Sequence, residues 1–303
     1  MAMWRALFLL FVASSVSALP NSQQLAYPED VRGASSRIVS GWEAREGQFP
    51  YQLSLRTVND WARLRSCGAS LIHHRWAVTA GHCLDYQVTI VIRAGGVALT
   101  RPALIFESVE HLTHPLFMDG LPFVQPNDIG IIKFNYFVEY SANIQPIRLQ
   151  PSAHKDRDYS GIKLQASGWG LNWTRGIGVS PDHLNWVNLV GISNEECLAA
   201  YNNSNTIIAS TICAGPHNVS SQSTCDGDSG GPVALIDEDG KPTLVGIISF
   251  VSRRGCHTPD PAGFVRPGHY LDWIQGVTGI DFDWDPKSIQ LSETVKEEQI
   301  EDM

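Results

Sequence analysis

Three short stretches of this 303-residue chain carry side chains able to take part in breaking a covalent bond. The first is Gly227-Asp228-Ser229-Gly230-Gly231-Pro232, in which three glycines around a serine let backbone amides approach a bound molecule without side-chain obstruction. A serine hydroxyl alone is a poor nucleophile. It needs a base to take its proton and donors to stabilise the negative oxygen that develops on an attacked carbonyl. Thr79-Ala80-Gly81-His82-Cys83 supplies a histidine beside a cysteine that can pin it, and Asn127-Asp128-Ile129-Gly130 supplies an acid leading into an apolar strand. Taken singly, each has an ordinary explanation: a glycine turn with an exposed serine, a structural histidine, a turn-capping aspartate.

Such side chains need a scaffold, and the sequence reads as a turn-dense β protein. Short runs suited to strands recur between turn signals at 51–57, 69–73, 88–93, 129–134, 163–167, 231–236 and 243–251, a pattern of barrels or sandwiches. Two helices are expected. Ser193 with Glu196 three residues later makes a capping box ahead of Cys197 to Tyr201. Near the end, Tyr270, Trp273, Ile274 and Val277 recur at helical spacing and form one apolar stripe.

With 43% hydrophobic and 17% charged residues, the chain has the apolar material for one large domain or two small ones. Residues 1–18 read as a signal peptide: Arg5, an apolar run from Ala6 to Val16, then Val16-Ser17-Ala18 as a cleavage site. The run falls short of the ~20 residues that span a bilayer, so no membrane segment is expected. Export implies oxidised cysteines, and Cys67, Cys83, Cys197, Cys213, Cys225 and Cys256 are even in number; spacing alone leaves their pairing open. Asn172, Asn202 and Asn218 begin triplets that accept N-linked sugar. Residues 19–37 read as a polar leader ending in Ser35-Ser36-Arg37 before the apolar Ile38-Val39. Of the net charge of -9, most comes from 281–303, where eight acids face two lysines. Residues 280–303 are therefore expected to be a mobile acidic tail, and nothing points to nucleic-acid binding.

The motifs occur in a telling order: Ile38-Val39-Ser40-Gly41, the His82 stretch, the Asp128 stretch, Gly168-Trp169-Gly170, the Ser229 hexapeptide, and Ser249-Phe250-Val251. In this the chain resembles the trypsin and chymotrypsin family of serine proteases, over about residues 38–279. The resemblance implies an all-β fold of two packed antiparallel six-stranded Greek-key barrels with a C-terminal helix. It implies the division of labour of a Ser-His-Asp triad, in which Ser229 attacks the peptide carbonyl, His82 shuttles the proton and Asp128 orients the imidazole. The amides of Gly227 and Ser229 would form the oxyanion hole, with Ser249 bonding near Asp128 and, with Phe250, lying on the strand that pairs with substrate. It selects the pairs Cys67–Cys83, Cys197–Cys213 and Cys225–Cys256. Cleavage after Arg37 would free an ammonium at Ile38 that inserts beside Asp228.

Gly81, Ser40 and Gly130 stand where the family more often has alanine, glycine and alanine, and none of these changes removes a reacting atom. Ala94 to Phe106 contains no carboxylate, so the calcium loop of many relatives is not expected, nor any metal or cofactor. The resemblance places Ser223 at the floor of the specificity pocket, Val251 on one wall, and Ala262 or Gly263 on the other. Without an aspartate at the floor and with a branched wall, cleavage after small or medium apolar residues is expected, as in elastases. Chymotrypsin-like or broad collagenolytic specificity is the alternative, and a non-catalytic homologue acting as a binding module is the alternative from another class. An α/β-hydrolase also satisfies G-x-S-x-G, yet it needs its histidine downstream and a helix where Pro232 to Ile236 reads as a strand. The expected partners are protein or peptide substrates, an activating trypsin-like protease and protein protease inhibitors, acting on a secreted monomer.

Overall fold

Alternation of apolar and polar side chains builds the first sheet. In Gln52–Asn59, Leu53 and Leu55 point inward and are 1% exposed, while Arg56 faces solvent. This strand pairs antiparallel with Leu64–His73 on one side and Gln87–Ala94 on the other. The hairpin to Leu64 is set by Asn59, whose Oδ1 accepts from the amides of Trp61 (3.1 Å) and Arg63 (2.9 Å). Trp76–Thr79 and Gly130–Lys133 extend the sheet beyond Leu64–His73. At its two ends lie Leu104–Ser108 and Glu110–Thr113, separated only by Val109. The sheet therefore curls into a half-barrel whose end strands are joined covalently.

The computed structural model describes residues 25–28, 41–174, 177–179 and 181–288. Within them, Lys163–Gly168, Asn185–Ile192, Thr211–Pro216, Ala262–Val265, Pro242–Ser252 and Pro232–Ile236 form a closed six-stranded antiparallel barrel. The two-barrel expectation holds, with one barrel closed by hydrogen bonds and the other a half-barrel whose two end strands join at Val109. All seven strands read from the sequence are present. The expected signal peptide, the leader apart from 25–28, and Arg37-Ile38 lie outside the described residues, as do 289–303.

Both helices are present. Asn194–Ala200 begins with the expected capping box, in which Ser193 Oγ accepts from the Glu196 amide and Glu196 Oε2 accepts from the Ser193 amide, each at 3.1 Å. Leu271–Thr278 ends at Gly279, whose φ of 72° suits a residue without Cβ. Its Ile274 is fully buried beside Tyr270 and Leu271 in the main core, with Trp273 and Val277 at the margin.

The first residues of the expected tail make contacts with the body. Ile280 and Phe282 pack on the core, Trp284 Nε1 donates to Leu149 O (2.8 Å), and the Arg148 guanidinium sits 4.5 Å from the Trp284 ring centre. Net charge concealed two apolar side chains and an indole among the acids. Among the described residues, no helix is long and apolar enough to cross a membrane.

Candidate active site

The three chemical stretches come from different parts of the chain and meet where the sheets abut. His82 lies three residues after Trp76–Thr79, in the single helical turn Gly81–Cys83, and Cys83 is tied to Cys67 on the neighbouring strand. Asp128 lies two residues before Gly130–Lys133, the partner of Trp76–Thr79, so pairing of two adjacent strands brings acid and imidazole together. His82 Nδ1 is 2.7 Å from Asp128 Oδ2, and the His82 amide donates to Oδ1 at 2.8 Å. Ser249 Oγ, from the second barrel, donates to Oδ2 at 2.6 Å. A carboxylate with no exposure thus has its lone pairs matched by three donors, which is what permits its burial.

Ser229 is set by backbone contacts on both sides. Its carbonyl accepts from Gly68 N of the first barrel (2.7 Å), and the next amide, of Gly230, donates to Ile248 O, one residue before Ser249. A Cβ on Gly68 would lie 2.7 Å from Gly231 Cα, so the barrels can meet here only without side chains. Cys83 Sγ lies 3.5 Å from the Ser229 carbonyl and 3.8 Å from His82 Nε2, placing the serine loop and the imidazole against one sulfur. Gly227 and Gly230 have φ of 92° and 77°, a backbone open to glycine at little cost.

Two of the three family departures, Gly81 and Gly130, are accommodated locally, and Ser40 lies outside the described residues. Leu84 Cδ1 fills the space at Gly130, lying 2.5 Å from where a Cβ would stand, and Phe117 and Asp128 crowd Gly81.

Asp228 is fully buried. Its Oδ1 accepts from the Gly170 amide (2.8 Å) and its Oδ2 from the Cys225 amide (2.9 Å). Loss of hydration pushes this carboxyl up to about 7, against the two amides, which favour its charged form; the neighbouring Asp226 adds to the rise.

All three disulfides match the pairing implied by resemblance. Ser223 is buried, with its Oγ donating to Thr224 O (3.1 Å). Val251 is 1% exposed and packs in one apolar cluster with Cys225, Cys256 and Ala262. The two alternatives for the opposite wall separate: Ala262 belongs to that cluster, whereas Gly263 lies under the Phe250 ring, where a Cβ would be 2.0 Å from Cζ. The two neighbours thus stand on opposite faces of the strand Ala262–Val265, Ala262 on the same side as Val251. Asn202 and Asn218 are exposed, and Asn172 contributes backbone to the hairpin of Asn172–Thr174 and Ile177–Val179.

Two groups escaped the sequence reading. Arg65 Nη1 donates to the His82 carbonyl and carried no motif. Tyr27, in the segment expected to be a leader, stacks on His82 with ring centres 4.0 Å apart and planes at 26°. Its only sequence signal was an apolar triplet, Leu25-Ala26-Tyr27, inside a polar segment.

Comparison with known proteins agrees with this geometry. The family model described as Trypsin matches residues 38–274. The chain is 37% identical over 276 residues to "Collagenase" of Hypoderma lineatum, covering 91% of this chain and 99% of that protein. It is 32% identical to "Chymotrypsin-like elastase family member 3B" of Macaca mulatta, covering 80% and 93%. The solved structure described as HL collagenase superposes with a TM-score of 0.71 at 36% identity, over 80% of this chain and 98% of that one. The chain belongs to the trypsin family. It is a serine endopeptidase, a hydrolase acting on peptide bonds.

Proposed function

We propose that the chain is the precursor of a secreted endopeptidase, activated by cleavage between Arg37 and Ile38, that cuts after small or medium apolar residues. Ser229 is the nucleophile, His82 the base and Asp128 the group that orients the imidazole and stabilises its charged form. Gly227 and Ser229 supply the oxyanion amides. The observation that carries the catalytic reading is the buried Ser249–Asp128–His82 hydrogen-bond chain against the Ser229 loop. Three formed disulfides support an oxidising, extracellular compartment, and exposed Asn202 and Asn218 suit glycosylation there.

Activation follows from Asp228. A buried carboxylate is tolerable when it is paired, and a new ammonium at Ile38 is the partner this reading gives it. Because Arg37 does not suit a small apolar pocket, a separate trypsin-like protease makes the cut. Val251, packed with Cys225, Cys256 and Ala262, supports the narrow pocket. The likeness to a collagenase favours a second reading, broader collagenolytic specificity in the same site.

Profiling the cut protein on a peptide library decides between them. Preference for Ala, Val or Leu before the scissile bond, widened toward Phe by Val251→Gly, is expected; faster cleavage after Phe or Tyr by the unmodified enzyme refutes the narrow pocket. Labelling of Ser229 by a fluorophosphonate probe after tryptic activation, abolished in His82→Ala, tests the catalytic assignment.

A further inference from the structure

The catalytic side chains of the continuous chain are covered. Ser229 has no exposed surface and His82 is 2% exposed, although an endopeptidase must present both to a peptide. Among the described residues, the cover over His82 is the segment Leu25 to Pro28. Leu25–Ala26 pairs antiparallel with the end of Pro242–Ser252, Ala26 opposite Val251 and Leu25 opposite Ser252. Continued by one residue, this register sets Tyr27 opposite Phe250, and its ring lies on the imidazole. Leu25 and Tyr27 are buried in one cluster with Val124, Tyr201, Ile207 and Phe250. The remaining cleft, of about 820 Å³, runs beside them past Asp85 and Arg65.

We propose that Leu25-Ala26-Tyr27-Pro28 is a substrate-mimicking inhibitor carried in the leader, and that the same segment blocks the mature enzyme when supplied as a separate peptide. The inference rests on the endopeptidase reading with Ser229 and His82 at its centre. Strand addition supplies the main-chain hydrogen bonds, and the Leu25 and Tyr27 side chains supply selectivity. Pro28 holds Tyr27 extended before the peptide is bound, which lowers the ordering cost, and it has no N–H to extend the ladder toward Ser229. The leader contains no cysteine, so after cleavage no disulfide tethers it and it leaves on dilution.

The test uses the trypsin-cut protein freed of its leader, an apolar peptide anilide, and an acetylated peptide of residues 21–32. Competitive inhibition is expected, with KM raised and kcat unchanged. The Tyr27→Ala and Leu25→Ala peptides should each bind tenfold or more weakly, and a scrambled peptide should not inhibit. Binding of the fluorescein-labelled peptide to cut Ser229→Ala protein should rank the peptides identically, whatever the activity of the enzyme. No binding at millimolar peptide, non-competitive inhibition, or ordinary hydrolysis of the peptide at Tyr27-Pro28 or Pro28-Glu29 overturns the proposal. A cut protein that neither turns over the anilide nor takes the fluorophosphonate label overturns instead the endopeptidase reading, while the binding measurement still decides the leader.

Discussion

Asp228 makes cleavage visible as a change in the pH dependence of stability. In the uncut chain its carboxyl lies at about 7 against an ordinary 3.8, because burial removes hydration that the Gly170 and Cys225 amides only partly replace. A carboxyl raised by folding binds more protons in the folded state than in the unfolded one between those values. Its contribution is therefore complete below pH 3.8 and is lost as pH rises through 7. From pH 5 to pH 7 the unfolded carboxyl is already charged while the folded one is still titrating, which costs the uncut chain roughly 2 kcal/mol. Pairing with an Ile38 ammonium keeps Asp228 charged throughout that window, so the cut chain escapes this loss. Urea unfolding of the Ser229→Ala protein, uncut in an Arg37→Gln background and cut by trypsin otherwise, at pH 5, 6 and 7 measures the difference. Loss of the leader shifts the two curves relative to each other, and the change of that gap with pH isolates Asp228. Parallel dependences, within about 0.5 kcal/mol across two pH units, refute the pairing.

Three further outcomes are expected. Ser249→Ala removes one of three donors to Asp128, a charge-assisted bond worth about 1.5–3 kcal/mol, and should lower kcat tenfold or more with little change in KM or in the protection of the far barrel strands, as read by steady-state kinetics and hydrogen exchange. Gly230→Ala forces a Cβ to 2.0 Å from Thr79 Oγ1 and 2.6 Å from Gly68 O at a positive φ; strain and overpacking of about 2–4 kcal/mol together should lower the thermal midpoint by several degrees and abolish activity. Trp284→Ala loses the bond to Leu149 O and the stacking of Arg148, and should cost about 1–3 kcal/mol in urea unfolding without altering kcat/KM; an unchanged midpoint would return residues 280–288 to the status of a loose tail.

The site was legible because its chemistry is local. His82, Asp128 and Ser229 each sit in a run short enough that glycine, cysteine or strand composition marks the position, and family order then joins them. Strands were legible where one face is apolar and the ends are punctuated, as in Gln52–Asn59. Asn185–Ile192 was not, because Trp186 and Val190 stand on the outward face beside buried Val187 and Leu189, and the alternation disappears. Leu104–Ser108 and Glu110–Thr113 were not, because a strand that bends at one residue to serve two partners breaks its own period. Disulfide partners came from family likeness, since spacing alone admitted every pairing.

What the sequence concealed has a common cause. Arg65, Trp284 and the Leu25-Ala26-Tyr27 triplet all act across large separations, on partners that no local window contains. For the leader, the partner is the end of Pro242–Ser252, where Val251 and Ser252 run past the pairing with both barrel neighbours and can accept an extended segment, so selectivity resides in where two side chains land. Tyr27 lands on His82 and Leu25 among Tyr201, Ile207 and Phe250. The inhibitor and a substrate thus compete for one set of atoms. Widening the pocket at Val251 should change cleavage preference while leaving Tyr27 in place, because Val251 packs toward Cys225 and Cys256, on the face of the strand opposite Phe250.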